Sequence, residues 1–251
     1  MGSLLEVKAL TKAYDGKQVV RGINFSVQEG EILGYIGPNG AGKSTTIKMI
    51  IDVEKKDNGE IFYCGEKIGN IMKVYKKAIG VVPQEIAIYE DISAYDNVKF
   101  FCSLYGHKGD DLKERVKEAL EFTGLWEHRK GLPAKFSGGM KRRLNIACSI
   151  AHSPKLLFMD EPTAGIDPQS RKHIMESIKI LNARGTTIVY VSHYMEEIEA
   201  LCNRIIIMDH GEIIEDMEKS QLKLKFEKLG CKNLEDIFLR LTGTALRDGE
   251  E

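Results

Sequence analysis

Nine consecutive residues of this chain have the types and order that bind the phosphates of a nucleoside triphosphate. They follow the pattern G-x-x-x-x-G-K-[ST], in which glycines let backbone N–H groups converge on an anion. The residues are Gly37, Pro38, Asn39, Gly40, Ala41, Gly42, Lys43, Ser44 and Thr45. A helix predicted over residues 43 to about 51 adds the positive end of its dipole, and Lys43 reaches the terminal phosphates. The Ser44 hydroxyl completes a Mg²⁺ shell, so the pattern predicts both a nucleotide and a metal.

A second group of polar residues follows the apolar run at residues 156–159. Asp160 and Glu161 come directly after that run, which places them at the C-terminal end of a predicted strand, where α/β sheets bind ligands. This resembles a Walker B motif. Asp160 is predicted to bind Mg²⁺, directly or through water, and Glu161 to polarise the attacking water as a general base. The alternative is a pair of solvated acids in a strand-to-helix loop.

A third segment begins at Ser137, which is a good helix N-cap, and continues with Gly138 and Gly139. The plain interpretation is a capped core helix. Three consecutive cations at residues 141–143 lie in its first turn, where each opposes the helix dipole by about 0.3 to 1 kcal/mol. An anion near that helix end, or acidic partners, would offset the cost.

The remaining pattern predicts an α/β core that positions these groups. Short apolar runs predict strands buried on both faces, as in a parallel sheet covered by helices. The predicted strands are residues 32–36, 156–159, 187–191 and 205–208. Helical periodicity dominates between them, and the predicted helices are residues 96–105, 112–123 and 139–151. A His-Gly turn at residues 210–211 indicates a hairpin, and residues 233–241 form an amphipathic helix in a charged tail.

Composition narrows the classes of partner. The chain has 251 residues, 43% of them hydrophobic, so a core is readily built in one large domain or two small ones. Lys+Arg 36 against Asp+Glu 37 gives a net charge of -1, which supplies no global attraction to nucleic acid or an anionic membrane, so no nucleic-acid partner is expected. No apolar run approaches the length needed to span a bilayer and no signal-peptide pattern is present, so any membrane role is expected to come through a partner.

The five cysteines are scattered, with no pair at metal-ligand spacing. They are predicted to be reduced core residues.

The order of these motifs resembles that of the ATP-binding cassette (ABC) family. Ser137, Gly138 and Gly139 match the Leu-Ser-Gly-Gly-Gln signature, with Phe136 and Met140 as substitutions at its ends. The resemblance covers residues 4 to about 215. It implies a P-loop ATPase core with a mainly parallel central sheet, an N-terminal antiparallel β part and a helical subdomain insertion. The implied domains are residues 1–84 with 154–215 as the nucleotide-binding core, 85–153 as the helical signature subdomain and 216–251 as a C-terminal appendage.

The same resemblance assigns roles to four further residues. Tyr14 matches the aromatic that stacks on adenine, although a hairpin aromatic in the core is the alternative. Gln84 matches the glutamine that touches Mg²⁺ or the lytic water, and His193 matches the switch histidine that contacts the γ-phosphate. Asp167 lies in the loop that is Ser-Ala-Leu-Asp in the family and, before proline, is also a good N-cap. Ala164 replaces the serine of that loop, which puts contacts across the dimer in doubt.

In this family two cassettes pair head to tail around two ATP, and the helical insertion transmits their motion to membrane-spanning partners. The resemblance therefore implies an ATP-hydrolysing subunit, a homodimer when ATP is bound, on the inner face of the cell membrane through a separate permease chain. Local likeness in the signature helix and the C-terminal helix is closest to drug and lipid exporters. The alternative is a soluble ABC-type ATPase acting on ribosomes, DNA or cluster assembly.

Overall fold

The computed structural model describes residues 3–243, so the parts of the predicted core and appendage at residues 1–2 and 244–251 lie outside the described residues. The chain divides into two compact units. One contains the residues up to 76 together with those from 187 onward, and the other contains residues 77–186. The finer division into core, helical subdomain and appendage stays a prediction.

Strands and helices alternate along most of the described chain. The strands are β1 Ser3–Tyr14, β2 Lys17–Gln28, β3 Ile32–Ile36, β4 Asn58–Tyr63, β5 Glu66–Lys67, β6 Ile79–Val82, β7 Leu156–Asp160, β8 Thr187–Val191, β9 Arg204–Asp209 and β10 Glu212–Glu218. The helices are α1 Lys43–Ile50, α2 Met72–Ala78, α3 Ala94–Leu104, α4 Gly109–Phe122, α5 Gly138–Ile150, α6 Pro168–Ala183, α7 Met195–Leu201, α8 Lys219–Glu227 and α9 Leu234–Thr242. The predicted strands and helices are confirmed, with boundaries that shift by three residues at most.

The first unit contains an antiparallel sheet in the order β2-β1-β4-β5. Val7 of the central strand pairs with Phe25 on one side and Ile61 on the other, and all three side chains are buried. Cross-strand pairs of this kind stabilise a sheet and fix its register. The predicted N-terminal antiparallel β part is therefore confirmed.

The same unit contains parallel strands in the order β9-β3-β8, with β10 antiparallel to β9. Every residue of β3 and β8 is buried, as continuous apolar runs require. His210 and Gly211 both have positive φ, 44° and 82°, between β9 and β10. Positive φ at both central residues is the conformation of a tight hairpin turn, so the predicted hairpin is confirmed.

The second unit combines the parallel pair β6-β7 with helices α3 to α6. Helix α5 is largely buried, and its core residues include Leu144, Ala147 and Cys148. Ser137 accepts a hydrogen bond from the Met140 N–H, which confirms the predicted N-cap of this helix.

Two features of the tail and the cysteines differ from the sequence expectations. Helix α8 was not predicted. Only two of its nine residues, Leu222 and Phe226, are buried, so the helix shows little apolar periodicity in the sequence. All five cysteines are free, but the prediction that they are core residues is wrong for Cys64, which is exposed, and for Cys231, which is half-buried. Among residues 3–243, no helix has the length and apolar character needed to cross a membrane.

His152 follows α5 and is a buried titratable group in the second unit. Its ring stacks on Tyr105, with centroids 3.5 Å apart, and its Nε2 lies 2.9 Å from the Ile79 carbonyl oxygen. Nδ1 is buried and has no hydrogen-bond partner among the described residues. Burial, with the positive charges of His107 and Arg115, lowers the pKa of His152 to about 4. The neutral imidazole, donating from Nε2, is therefore the form that fits this site.

We expect acid to destabilise the protein through His152. The pKa of histidine is 6.5 in an unfolded chain, so the unfolded state binds an extra proton as the pH falls from about 6.5 towards 4. The stabilisation is present above pH 6.5, and about 2 kcal/mol of it is lost by pH 5. Urea unfolding of the wild type and of His152→Gln at pH 7.5 and pH 5 measures this loss, which the variant should lack.

The exposed His128 provides the matched control, since His128→Gln should show the same pH dependence as the wild type. An equal loss of stability in His152→Gln and the wild type would contradict the assignment.

Candidate nucleotide site

The loop between β3 and α1 runs too close to other backbone to carry side chains at two positions. A Cβ on Gly37 would lie 2.2 Å from the Met208 carbonyl oxygen. Gly42 has φ 101°, and a Cβ there would lie 2.6 Å from the Val19 carbonyl oxygen. Only glycine meets both conditions without shifting the backbone. The glycines of the predicted phosphate loop are therefore required by its packing as well as by its turns.

Lys43 begins α1 with its ammonium inside that loop. Its Nζ donates hydrogen bonds to the carbonyl oxygens of Gly37 at 2.7 Å and Pro38 at 2.9 Å, and the residue is 8% exposed. The first turn of α1 contains no acidic residue, and its N-cap is a glycine without a side chain. The helix end keeps its positive potential, and an ammonium lies beside it, so the site suits a polyanion.

Tyr14 lies at the end of β1 and is 42% exposed, so the alternative of a core aromatic is wrong. The Lys12 ammonium lies 4.9 Å from the centre of the ring and also forms an ion pair of 2.8 Å with Glu54. The ring thus has a cation near it and remains available for stacking. Its predicted contact with adenine stays a prediction.

The acids of the second unit lie where the sequence predicted them, at the end of β7. Asp160 is the last residue of the strand, and Glu161 follows with a positive φ of 46°. That conformation is uncommon for a residue with a side chain and typically costs about 1 to 3 kcal/mol. The Gln84 side-chain amide donates to Glu161 Oε2 at 3.2 Å. The structure therefore brings together Gln84 and Glu161, two of the residues predicted to act on the lytic water.

The signature segment lies beside the loop that contains Asp167. Asp167 caps α6 by accepting a hydrogen bond from the Ser170 N–H at 2.9 Å, which confirms the predicted N-cap with Pro168 in the first turn. That bond holds the pKa of Asp167 below its usual range. A Cβ on Gly139 would lie 2.3 Å from Ser170 Oγ. Ser170 thus joins the two segments, and no local pattern in the sequence indicated it.

The three consecutive cations near the start of α5 have different partners. Lys141 forms an ion pair with Glu90, as the expectation of an acidic partner requires. Arg142 instead donates to the carbonyl oxygens of Pro83 at 3.0 Å and Gln84 at 2.8 Å.

Arg143 donates to the carbonyl oxygens of Thr123 at 2.8 Å and Gly124 at 3.2 Å. The two arginines therefore hydrogen-bond to carbonyl oxygens, and carboxylates act on them through charge, Glu161 on Arg142 and Asp167 on Arg143. The sequence did not predict the contact of Arg142 with Gln84, and its only signal was the unexplained cluster of cations.

His193 lies in the first unit, between β8 and α7, with an exposed side chain. Its ring centroid is 4.4 Å from that of Tyr194. The preceding corner is fixed by the buried Glu197, which accepts hydrogen bonds from the hydroxyls of Tyr190 at 2.7 Å and Ser192 at 3.1 Å. Sequence reasoning also missed this buried carboxylate, because a glutamate in the first turn of a helix is usually solvated.

The donor set fits Mg²⁺ in its usual coordination. The ion prefers oxygen ligands and is normally held by one or two carboxylates with phosphate oxygens and water, not by a cage of protein ligands. The Ser44 hydroxyl, the Asp160 carboxylate and the Gln84 side-chain oxygen are of that kind. Within the described part of the chain, no group of three or more His, Cys, Asp or Glu side chains could hold a metal ion alone.

Known proteins similar to this chain agree with the motifs. The family described as ABC transporter matches residues 20–164. The linearmycin resistance ATP-binding protein LnrL of Bacillus subtilis (strain 168) is 50% identical over 219 residues, which cover 87% of this chain and 70% of that protein. The Nod factor export ATP-binding protein I of Rhizobium sp. (strain N33) is 38% identical over 231 residues, covering 92% and 75%.

Two solved structures share the fold. The ATP-binding subunit of an ABC transporter superposes with a TM-score of 0.86 at 28% identity, covering 95% of this chain and 99% of that one. A dimeric ATP-binding cassette in a post-hydrolysis state, bound to ADP and Pi, gives a TM-score of 0.77 at 27% identity and covers 85% and 98%. The expected fold class is confirmed, and the chain belongs to the ABC transporter family as an ATP-binding and ATP-hydrolysing subunit.

Proposed function

We propose that this subunit powers export through a separate membrane permease chain. The names of the relatives support export. LnrL, which is 50% identical, is named for linearmycin resistance, and the Nod factor proteins are named for export. Export is favoured over a soluble role on ribosomes, DNA or cluster assembly, because neither relative is named for such a role. The transported compound is left open.

In this proposal the first unit binds the nucleotide. Tyr14 stacks on adenine, a contact typically worth about 1 to 3 kcal/mol per base. The backbone of residues 37–45 and the ammonium of Lys43 bind the β- and γ-phosphates. The exposed His193 contacts the γ-phosphate.

The metal is proposed to be held by Ser44, Asp160 and Gln84. When bound, Mg²⁺ neutralises charge on the phosphate oxygens. Asp160 serves as the carboxylate of this set. Ser44 and Gln84 supply neutral oxygens, so the protein adds a single negative charge to the metal site.

Hydrolysis in this proposal depends on Glu161. Its carboxylate accepts a proton from water as that water attacks the γ-phosphorus, and the bond from the γ-phosphorus to the bridging oxygen breaks with ADP as the leaving group. General-base help of this kind is typically worth about 10² to 10⁴ in rate. The Gln84 amide, 3.2 Å from Oε2, orients the carboxylate. The strained backbone of Glu161 supports this assignment, because such strain is concentrated at functional positions.

A second copy of the chain is proposed to complete each site. Ser137, Gly138, Gly139 and Asp167 of one copy bind the ATP held by the phosphate loop of the other. The dimeric cassette among the similar structures supports this pairing. Ala164 lacks the hydroxyl found at its position in the family, so the backbone of that loop must provide its contacts across the dimer. The permease holds this pair at the inner face of the cell membrane.

We expect Glu161→Gln to retain ATP binding and lose most turnover. The amide keeps the size of the carboxylate but cannot accept the proton. The steady-state rate of phosphate release should fall by about 10² to 10⁴. Binding of a fluorescent ATP analogue, measured on the same preparation, should change little.

Glu176→Gln serves as the matched control. Glu176 is exposed on α6, and its substitution removes the same charge from the second unit. Near-normal hydrolysis by Glu161→Gln would contradict the general-base assignment.

The partner is tested by capturing the tagged chain from detergent-solubilised native cells and identifying co-purifying proteins by mass spectrometry. We expect a multi-span membrane protein in stoichiometric amount. Recovery of ribosomal, DNA-bound or assembly proteins in its place would overturn the export proposal and leave the ATPase chemistry intact.

A further inference from the structure

Helix α5 contacts the chain around Gln84 through a row of polar side chains. We call residues 81–90 the Gln84 segment. Ser149 Oγ donates to the Val81 carbonyl oxygen at 2.7 Å, and Asn145 Oδ1 accepts from the Ala87 N–H at 3.3 Å. Asn145 follows Lys141 by four residues and Arg142 by three, and Ser149 follows Asn145 by four, so the four side chains lie on neighbouring parts of one helix face. The segment is therefore attached to the helix that Ser137 caps.

Arg142 is the least expected member of this row. It is 4% exposed, and its ion-pair and hydrogen-bond partners among the described residues are limited to the carbonyl oxygens of Pro83 and Gln84. Its Nε is buried and has no hydrogen-bond partner among those residues. Burial lowers the pKa of the guanidinium, and the negative charge of Glu161 opposes that shift.

A buried cation bound to carbonyl oxygens is a costly way to stabilise a fold. Desolvation of the charge opposes the hydrogen bonds, and an apolar side chain of similar volume often serves stability equally well. The position of Arg142 therefore calls for a role besides packing. Its two hydrogen bonds fix the main chain of Gln84, the residue whose side chain reaches Glu161 at 3.2 Å.

We propose that Arg142 is a positioning residue for hydrolysis, which fixes Gln84 so that its amide holds the carboxylate of Glu161 in place. This inference rests on the proposed function, in which Glu161 is the general base. Arg142 lies five residues after Ser137, so α5 carries the signature residues at its start and the anchor of Gln84 in its second turn. Movement of the signature segment then moves Gln84 with it, and hydrolysis depends on the position of the signature helix.

Arg143 offers a matched comparison. It is the next residue of the helix and also donates to two carbonyl oxygens, but these belong to Thr123 and Gly124 at the end of α4. Burial lowers its pKa as well. If arginines in this turn only hold the second unit together, Arg142→Met and Arg143→Met should have similar effects on turnover.

The decisive experiment is a double-mutant cycle on ATP turnover by the full chain, with Arg142→Met, Gln84→Ala and the double variant. We expect Arg142→Met to lower kcat by about 10- to 100-fold, because small displacements of catalytic groups have effects of that size. KM for ATP should stay within about twofold, since the interaction acts on the chemical step. In the Gln84→Ala background, Arg142→Met should lower kcat by less than about twofold, because the interaction that it disrupts is already absent.

Independent losses that multiply in the double variant would overturn the proposal. An equal loss of kcat in Arg143→Met would overturn it too. Melting temperatures identify variants that fail to fold, and Arg142→Gln, which keeps an amide donor, replaces Arg142→Met in the cycle if that variant is unfolded. Arg142→Gln has one donor nitrogen in place of the two that Arg142 uses, so it should still lose part of the turnover. Full turnover per folded molecule in both Arg142 variants would also reject the role.

Glu161→Gln in the same assay separates the two levels of inference. Full activity of Glu161→Gln would remove the proposed general base, which is the part of the proposed function on which the role of Arg142 rests. If Glu161→Gln loses activity but the effects of Arg142→Met and Gln84→Ala on kcat multiply in the double variant, only the role of Arg142 is rejected.

Discussion

The phosphate loop depends on direct backbone contact with the turn between β9 and β10. The Gly211 N–H donates to the Ala41 carbonyl oxygen at 3.0 Å, and the Gly211 carbonyl oxygen accepts from the Arg21 N–H at 2.9 Å. The loop backbone at Gly37 is packed so closely against Met208 that no Cβ fits between them. Satisfied backbone groups and excluded side chains leave the loop little freedom. A loop fixed in this way holds its N–H groups ready for phosphate without reorganisation.

In the second unit, side chains of helix α5 hold neighbouring segments in place. The sequence placed three cations where the helix dipole disfavours them, at residues 141–143, and tertiary contacts compensate for that cost. Carbonyl oxygens from the Gln84 segment and from the end of α4 accept from the two arginines. Each bond ties a different segment to one helix turn. Helix α5, which Ser137 caps, is thus hydrogen-bonded to Gln84 through Arg142, and the signature pattern alone does not predict this contact.

The two units carry different functional groups. The first supplies positive potential through Lys43 and the start of α1, together with the exposed ring of Tyr14. The second supplies the carboxylates at the end of β7 and the Gln84 amide. The groups of the first unit suit the binding of a polyanion and of a nucleobase. The groups of the second unit suit the activation of water. A strained Glu161 at the end of a buried strand is consistent with selection for orientation over local stability.

The sequence alone determined the elements and motifs whose causes are local. Apolar runs predicted β3 and β8, the pattern around Lys43 predicted the phosphate loop, and Ser137 and Asp167 predicted their caps, because burial and capping act within a few residues. Only the tertiary structure decided contacts between distant segments. Arg142 with Gln84, Ser170 with Gly139, and Gly211 with Ala41 join segments 31 to 170 residues apart. Such pairs leave no periodic signal in a sequence, since hydrogen bonding between remote backbone and side chains is set by packing and not by neighbouring residue types.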